Sequence, residues 1–352
     1  MQCRGRMNFF EVEQCGLYST GSKDSHGCGM EETFNMIHSW VKGRPFSSTI
    51  PWDPDRSHRN RPKVYCKDIY KSDTTGDYVI VLWKSDLSGT EGLLGVPEDD
   101  LSGSHDVIKH SNNHNGKKVI WGRPCYYWVV PNLNLVVSIK FDHSLCDSQL
   151  FQDYISSCMT NRVKHPNRVK EFTDSGYVRL SYVGEEGVRY RYSFSMGLKM
   201  LSTESAELSE LASKVTHIVR RDVIKVDSPD ERAEWIKMFD KITRPSAKPK
   251  SKYRKIEVKA EANLSVAELK EIIEKNATDG EGGDSWVNVG FDTEDGLTWV
   301  DTYRLKETIL VNINSENFIP AGVLGKQLEK ARNGFLRKVH AEMDATNLVE
   351  AV

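Results

Sequence analysis

Residues 126–159 constrain the fold more than any other part of the sequence, because they combine the densest apolar pattern with a change of period. Apolar and polar residues alternate over residues 135–142, a period of two that is typical of a strand with one buried face. Residues 126–130 are apolar on both faces, and Pro131-Asn132-Leu133-Asn134 supplies turn residues between the two segments. This stretch therefore predicts a β-hairpin in the core.

A helix is predicted directly after this hairpin. Beyond Asp147 one stripe with helical spacing holds the apolar residues Leu150, Phe151, Tyr154, Ile155, Cys158 and Met159. Asp147 or Ser148 can accept hydrogen bonds from the first amides of such a helix, which have no partner within it. The order strand, turn, strand, helix is thus expected at the centre of the protein.

Hairpins rather than strand–helix–strand crossovers dominate the rest of the chain. Residues 177–183 and 188–196 form the clearest second hairpin, and Arg189 and Arg191 alternate there with apolar and aromatic residues. A long helix is predicted near the end of the chain, over residues 321–343. This order of elements predicts an α+β protein with two α+β domains, each built on antiparallel hairpins with flanking helices.

A segment rich in proline, serine and lysine at residues 244–253 gives the clearest domain boundary. Eight lysines and arginines and one glutamate lie within residues 241–260, a composition typical of a solvated linker. The sequence therefore predicts an N-terminal domain over residues 7–243, with a sub-boundary near residue 170, and a C-terminal domain over residues 254–352. A chain of 352 residues has the length of two domains.

Composition indicates a cytoplasmic protein. No apolar run approaches the roughly 20 residues that a membrane-spanning helix needs, and the charged first residues do not resemble a secretory signal. Seven cysteines, an odd number without a CxxC pair, favour reduced thiols over a disulfide framework. We therefore expect a cytoplasmic location without direct insertion into a membrane.

Positive charge is bunched along the chain, although the formal net charge is only −2. The candidate nucleic-acid-binding residues fall in four clusters: Arg56, Arg59, Arg61 and Lys63; Arg162, Lys164, Arg168 and Lys170; Arg189, Arg191, Arg220 and Arg221; and Lys248, Lys250, Lys252, Arg254 and Lys255. Each cluster alone is as well explained as a solvated face. Together they predict a shared basic flank that contacts the phosphate backbone of DNA, or of RNA.

His143 and Asp147 form an HxxxD motif between the second strand and the helix of the central unit. This context resembles the coenzyme-A-dependent acyltransferases of the chloramphenicol acetyltransferase type, and the resemblance implies that His143 is a general base and Asp147 a structural residue. Asp142 and Ser148 depart from the family pattern, in which a histidine and a glycine are usual, and no DFGWG motif follows. The alternative interpretation is that Asp147 caps the helix and His143 lies in the preceding turn.

Glu257 and Lys259 match the ExK half of a restriction-type nuclease site, in which a carboxylate binds Mg²⁺ and a lysine activates water. Asp230 is the nearest candidate for the second acidic ligand, although it lies at the start of a predicted helix. An ordinary amphipathic strand explains Glu257 and Lys259 equally well.

The sequence predicts neither a metal site nor a cofactor. The available metal-binding side chains have no tight spacing that is typical of structural zinc; they are His105, His110, His114, Cys15, His26 and Cys28. We therefore expect them to be ordinary loop residues.

The order of elements also resembles that of the RexA and KwaB-type family of bacterial anti-phage proteins. The parts that carry this resemblance are residues 127–159, the hairpin at 177–196, the strand that reaches Arg220-Arg221-Asp222, and Tyr303-Arg-Leu-Lys-Glu307 before the last helix. The resemblance implies a homodimeric, non-enzymatic DNA-binding protein of a phage defence or exclusion system, acting beside a small membrane protein. It carries over no site residue.

Overall fold

A computed structural model describes residues 2–52, 63–85, 94–104, 107–109, 118–172, 178–184, 187–199, 202–225, 253–279, 288–300, 305–313 and 318–350. The helices in this part of the chain are α1 (Met30–Val41), α2 (Ser148–Ser157), α3 (Ser202–Lys214), α4 (Val266–Asp279) and α5 (Ala321–Glu350). None of these helices is both long enough and apolar enough to cross a membrane. Together with two antiparallel sheets they confirm the predicted α+β class.

The chain divides into two compact units, which are Met1–Leu201 with Arg304–Val352, and Ser202–Tyr303. The described strands of the first unit are β1 (Gln2–Tyr18), β2 (Val64–Lys71), β3 (Tyr78–Ser85), β4 (Leu94–Pro97), β5 (Ile108–Lys109), β6 (Val119–Val130), β7 (Leu135–Lys140), β8 (Arg168–Phe172), β9 (Val178–Val183), β10 (Arg189–Leu198) and β15 (Lys306–Asn312). They form one sheet with the central order β2-β3-β6-β7-β1-β10-β9-β8. Strand β1 is long enough to pair with β7 along one edge and with both β15 and β10 along the other.

The central hairpin is confirmed as predicted. Strands β6 and β7 pair antiparallel from Tyr126 with Ile139 to Val130 with Leu135. Asn134 closes the turn with φ +50°, in the left-handed region that asparagine tolerates better than most residues. The hairpin leads into α2, which begins at Ser148.

Alternating side chains on the central strands build a hydrophobic layer on each face of the sheet. On one face, Trp128 and Val137 belong to a buried cluster that includes the apolar side of α5. On the other face, Phe151 of α2 stacks against Phe34 of α1, with ring centroids 6.3 Å apart, and lies 4.3 Å from the ring of Tyr127. The sheet is therefore covered by helices on both sides at its centre.

Buried acidic residues attach α5 to this sheet. The Ala321 amide at the start of the helix donates to Asp68 Oδ2 at 2.8 Å. Further along, Arg332 Nε donates to Asp77 Oδ2 at 2.8 Å, and Trp128 Nε1 donates to the same oxygen at 3.0 Å. Because these carboxylates are buried, their hydrogen bonds fix where the last helix lies.

The second unit has its own sheet and core. Its described strands are β11 (His217–Lys225), β12 (Tyr253–Glu261), β13 (Asn288–Thr293) and β14 (Gly296–Trp299), in the order β12-β11-β13-β14. Leu208 and Leu211 of α3, Leu269 and Ile273 of α4, and Phe291 of β13 are buried. Helix α4 begins with a capping box, because the Ser265 amide donates to Glu268 Oε2 at 2.9 Å and the Glu268 amide donates to Ser265 Oγ at 3.3 Å.

The domain boundary differs from the prediction at residues 244–253, of which residues 244–252 lie outside the described residues. Strands β11 and β12, on either side of that segment, pair along their whole length from His217 with Glu261 to Lys225 with Tyr253. The basic segment therefore connects two neighbouring strands of one sheet. Strand β15 and α5, predicted to belong to the C-terminal domain, join the first unit because β15 pairs with β1.

Candidate nucleic-acid interface

The HxxxD motif lies where the sequence placed it, but its two residues have separate structural roles. Asp147 caps α2 by accepting from the Leu150 amide at 2.8 Å, and it pairs with Lys84 Nζ at 2.8 Å. This confirms the interpretation of Asp147 as a helix cap. The carboxylate is thus committed to the helix and to a lysine on β3.

His143 is held in an apolar setting. Its Nε2 atom lies 3.1 Å from Tyr126 Oη, and its ring stacks on Phe141 with centroids 5.8 Å apart. Burial lowers the pKa of His143 to about 4, since the charged imidazolium loses solvation, while Asp142 offsets this shift in part. The imidazole is therefore neutral at pH 7, with Nε2 facing a tyrosine hydroxyl that itself accepts from the Ile319 amide at 3.0 Å.

Glu257 and Lys259 lie on one face of β12, and each is paired with a residue of opposite charge. Arg221 Nε donates to Glu257 Oε2 at 2.6 Å, and Lys259 Nζ donates to Asp292. The Lys259 ammonium lowers the pKa of Asp292. Asp230, the third residue of the predicted nuclease site, lies outside the described residues. Among the described residues, Asp292 is the acidic side chain found at Lys259.

The basic cluster at 162–170 contains two kinds of cation. Arg162 donates to the carbonyl oxygens of Pro51 and Trp52 at 3.1 and 3.2 Å, and Arg168 donates to the Val163 carbonyl at 2.9 Å. These two arginines therefore stabilise the backbone of loops. Lys164 and Lys170 are exposed, and among the described residues no carboxylate lies within ion-pair distance of either ammonium.

An exposed phenylalanine follows this cluster. Phe172, at the end of β8, has 74% of its surface exposed, and Lys170 Nζ lies 5.7 Å from the centroid of its ring. Strand alternation places Arg168, Lys170 and Phe172 on one face of β8, and within the described chain β8 pairs with β9 alone. We call Lys164, Arg168, Lys170 and Phe172 the β8 surface. Phe172 was not among the predicted residues, although the alternation from Arg168 onward could have indicated it.

Arg189 and Arg191 lie on β10, on the opposite face of the same sheet. Arg168 is opposite Tyr182, and Tyr182 is opposite Tyr190, so the neighbours of Tyr190 must point the other way. Arg189 donates to both oxygens of Glu171, which it neutralises. Arg191 is exposed and has no carboxylate partner within the described ranges. The clusters at 162–170 and 189–191 therefore do not share one surface.

The remaining cations lie in the second unit or outside the described part. Arg220 pairs with Asp222 at 3.4 Å, and the Arg221 guanidinium, paired with Glu257, lies 4.1 Å from the centroid of the Trp299 ring. Lys255 is exposed on β12. Arg254 lies on the same strand, and Lys63 is exposed just before β2. The candidates outside the described residues are Arg56, Arg59, Arg61, Lys248, Lys250 and Lys252.

Of the predicted loop histidines and cysteines, His105, His110 and His114 lie outside the described residues. Cys15 and Cys28 come together around Thr33, whose Oγ1 atom is 3.5 Å from Cys15 Sγ and 3.7 Å from Cys28 Sγ. The ring of His26 instead contacts the ring of Tyr190, with centroids 4.7 Å apart.

Comparison of the chain with protein-family models, with curated proteins and with solved structures finds no match. Its side chains and their arrangement are therefore the basis on which a function can be argued.

Proposed function

We propose that the protein binds DNA, chiefly through contacts of the β8 surface with the phosphate backbone. The observation that carries this proposal is that two exposed lysines, Lys164 and Lys170, have no carboxylate partner among the described residues, and that an exposed aromatic ring, Phe172, lies beside Lys170. Cations neutralise phosphates, and an aromatic face stacks on sugars or unpaired bases. Lys170 and Phe172 both lie on β8, and Lys164 lies in the loop just before that strand.

The lack of carboxylate partners for these lysines among the described residues also supports the proposal. A cation that is already paired with a carboxylate must lose that partner before it contacts a phosphate, whereas an unpaired surface ammonium exchanges only water and counterions. Within the described part of the chain, Lys164 and Lys170 are of the second kind. Their contribution to affinity should therefore appear as counterion release, with a marked dependence on salt.

The position of the β8 surface also favours an extended ligand. Strand β8 ends the order of strands in the first sheet, so its outer edge pairs with no other described strand. A nucleic-acid backbone can run past such an edge without displacing another described strand. Phe172, which is mostly exposed at the end of the strand, would then stack on a base that is not paired, so we expect single-stranded DNA to bind at least as well as a duplex.

The two enzymatic alternatives receive less support from the geometry. A general base needs a lone pair that reaches the substrate, and His143 Nε2 faces the hydroxyl of Tyr126 instead. A Mg²⁺ ligand needs an available carboxylate, and Glu257 is engaged by Arg221. We therefore place both below DNA binding.

A salt titration with a matched control tests the proposal. Binding of a labelled DNA oligonucleotide is measured by fluorescence anisotropy for the wild type, for the Lys164→Gln/Lys170→Gln variant, and for the control Arg221→Gln/Lys259→Gln. The β8 variant should lose roughly tenfold in affinity, and its salt slope should fall by about 1.4 to 1.8, since each phosphate contact contributes about 0.7 to 0.9. The control, which removes cations that are already paired, should stay within about threefold of the wild type.

Either of two results contradicts the proposal. One is the absence of binding at low salt, or binding that salt does not weaken. The other is an equal loss of affinity in the β8 variant and in the control, which would mean that general charge and not the β8 surface determines the interaction.

The resemblance to the RexA and KwaB-type family extends the proposal to a homodimer that acts in phage defence beside a small membrane protein. The open edge of β8 supports no particular pairing of subunits, so this part rests on the resemblance alone. Size-exclusion chromatography coupled to light scattering measures the molar mass in solution and so tests the dimer. A mass near that of a single chain would contradict it.

A further inference from the structure

The buried end of the loop before α1 brings three metal-binding side chains together from two distant segments. Cys28 lies just before the helix, Glu32 lies in its first turn, and His165 lies in the loop before β8. One ligand atom from each of them lies within 4.8 Å of the other two. We infer that these three residues form a binding site for a thiophilic divalent cation, with Zn²⁺ as the chemical type.

The three side chains are held in place before any cation binds. The Cys28 amide donates to Glu32 Oε2 at 3.0 Å, which turns the carboxylate toward the thiol, and Glu32 Oε1 lies 3.6 Å from His165 Nε2. The His165 ring packs edge-on against Tyr182, with centroids 5.2 Å apart. Tyr182 is itself fixed, because its hydroxyl donates to the Met159 carbonyl at 2.7 Å. The ligand atoms must close by about 1 Å to reach the separations of a tetrahedral zinc site.

Burial differs among the three ligands in a way that suits a site with one open position. Cys28 is 1% exposed and the His165 side chain 7%, whereas the Glu32 side chain is 52% exposed. A cation can therefore enter past Glu32 and keep a water molecule as its fourth ligand.

The donor set selects the metal. Thiolate and imidazole favour Zn²⁺ and similar ions over Mg²⁺ or Ca²⁺, which prefer oxygen ligands alone. A divalent cation binds the thiolate form of cysteine, so it must displace the proton of the Cys28 thiol. Binding should therefore release a proton and tighten as the pH rises.

Metal binding should also change a hydrogen bond that His165 makes in its own turn. Its Nδ1 atom accepts from the Asn167 amide at 3.1 Å, which places the ring proton on Nε2. A cation bound at Nε2 shifts that proton to Nδ1, so the hydrogen bond from Asn167 must open. Metal binding should therefore change the turn at residues 165–168, in which the Arg168 amide donates to the His165 carbonyl.

Cobalt substitution tests the site on the full chain. The protein is treated with a chelator and titrated with Co²⁺, which gives visible ligand-field bands and a near-ultraviolet charge-transfer band when a thiolate binds it. The wild type should bind one Co²⁺ per chain with the charge-transfer band, and Zn²⁺ should displace it. Cys28→Ser should abolish that band, and Glu32→Gln and His165→Gln should each weaken Zn²⁺ binding by at least about tenfold.

Cys15→Ser is the matched control, because Cys15 approaches the same Thr33 hydroxyl but does not belong to the three-residue group. It should keep the charge-transfer band. Thermal melts with and without Zn²⁺ give a second measurement, in which Zn²⁺ should stabilise the wild type and Cys15→Ser but not Glu32→Gln, a change at a half-exposed residue that leaves the fold intact. No band in the folded wild type, or a band that Cys15→Ser removes and Cys28→Ser keeps, would overturn the assignment.

Discussion

Cations lie both at the β8 end of the first unit and on the sheet of the second unit, but the two regions differ in whether carboxylates pair with these cations. Lys164 and Lys170 on the first have no carboxylate partner among the described residues. On the second, Arg221 pairs with Glu257 and Lys259 pairs with Asp292. Clustered positive charge in a sequence therefore does not by itself identify a surface that is available to phosphates.

Ion pairs differ between the units in a second way. The pair of Asp77 and Arg332 in the first unit is buried, with side chains 6% and 13% exposed. The pair of Glu257 and Arg221 in the second unit is 45% and 29% exposed. Because water screens exposed charges, only the first pair should contribute strongly to stability.

The largest expected effect comes from breaking the buried pair. Asp77→Asn leaves the Arg332 guanidinium without its counter-charge inside the protein, so the free energy of unfolding should fall by about 3 kcal/mol. Urea denaturation followed by circular dichroism measures this change. Asp73→Asn, at an exposed position of the same turn, is the control. An equal loss of unfolding free energy in both variants would contradict a specific contribution of the Asp77–Arg332 pair.

The next effect concerns His143 and pH. Burial lowers its folded pKa to about 4 from 6.5, so below pH 6.5 the unfolded chain binds a proton that the folded chain does not. Stability should therefore fall as the pH drops from 6.5 toward 4, by about 2 kcal/mol at pH 5 relative to pH 7. His143→Gln should flatten this dependence, as urea midpoints at both pH values will reveal; an unchanged dependence would contradict the assignment.

A smaller effect on DNA binding should distinguish Phe172, which is exposed, from Trp299, which is half-buried. Phe172→Ala removes a ring that is available for stacking and should weaken binding of single-stranded DNA by about tenfold. Trp299→Ala removes a ring that Arg221 already covers, and should change affinity by less than about threefold. Anisotropy titrations with the same oligonucleotide compare the two, and the reverse order would move the interface to the second unit.

The smallest effect is expected for the exposed pair. Glu257→Gln should lower the free energy of unfolding by less than about 1 kcal/mol, because both partners are reached by water and salt. Denaturation at low and high salt measures it. A loss comparable to that of Asp77→Asn would mean that the two sheets do not differ in how they use charge.

Much of the local structure could be predicted from the sequence. The central hairpin and its helix cap at Asp147 were predicted because alternation and capping depend on residues a few positions apart. The domain boundary was not, because a basic segment has the same composition whether it joins two domains or two neighbouring strands such as β11 and β12. The Cys28, Glu32 and His165 group was also missed, since His165 lies far from the other two residues along the chain.

The sequence by itself determined which segments are strands, turns and helices, and where cations are concentrated. Only the tertiary structure decided that β15 and α5 return to the first sheet, that Arg189 and Arg221 have carboxylate partners while Lys164 and Lys170 lack them within the described residues, and that Phe172 remains exposed. The physical reason is the distance along the chain over which each interaction acts. Periodicity and capping act over a few residues, whereas burial and ion pairing depend on side chains that folding brings together from distant positions.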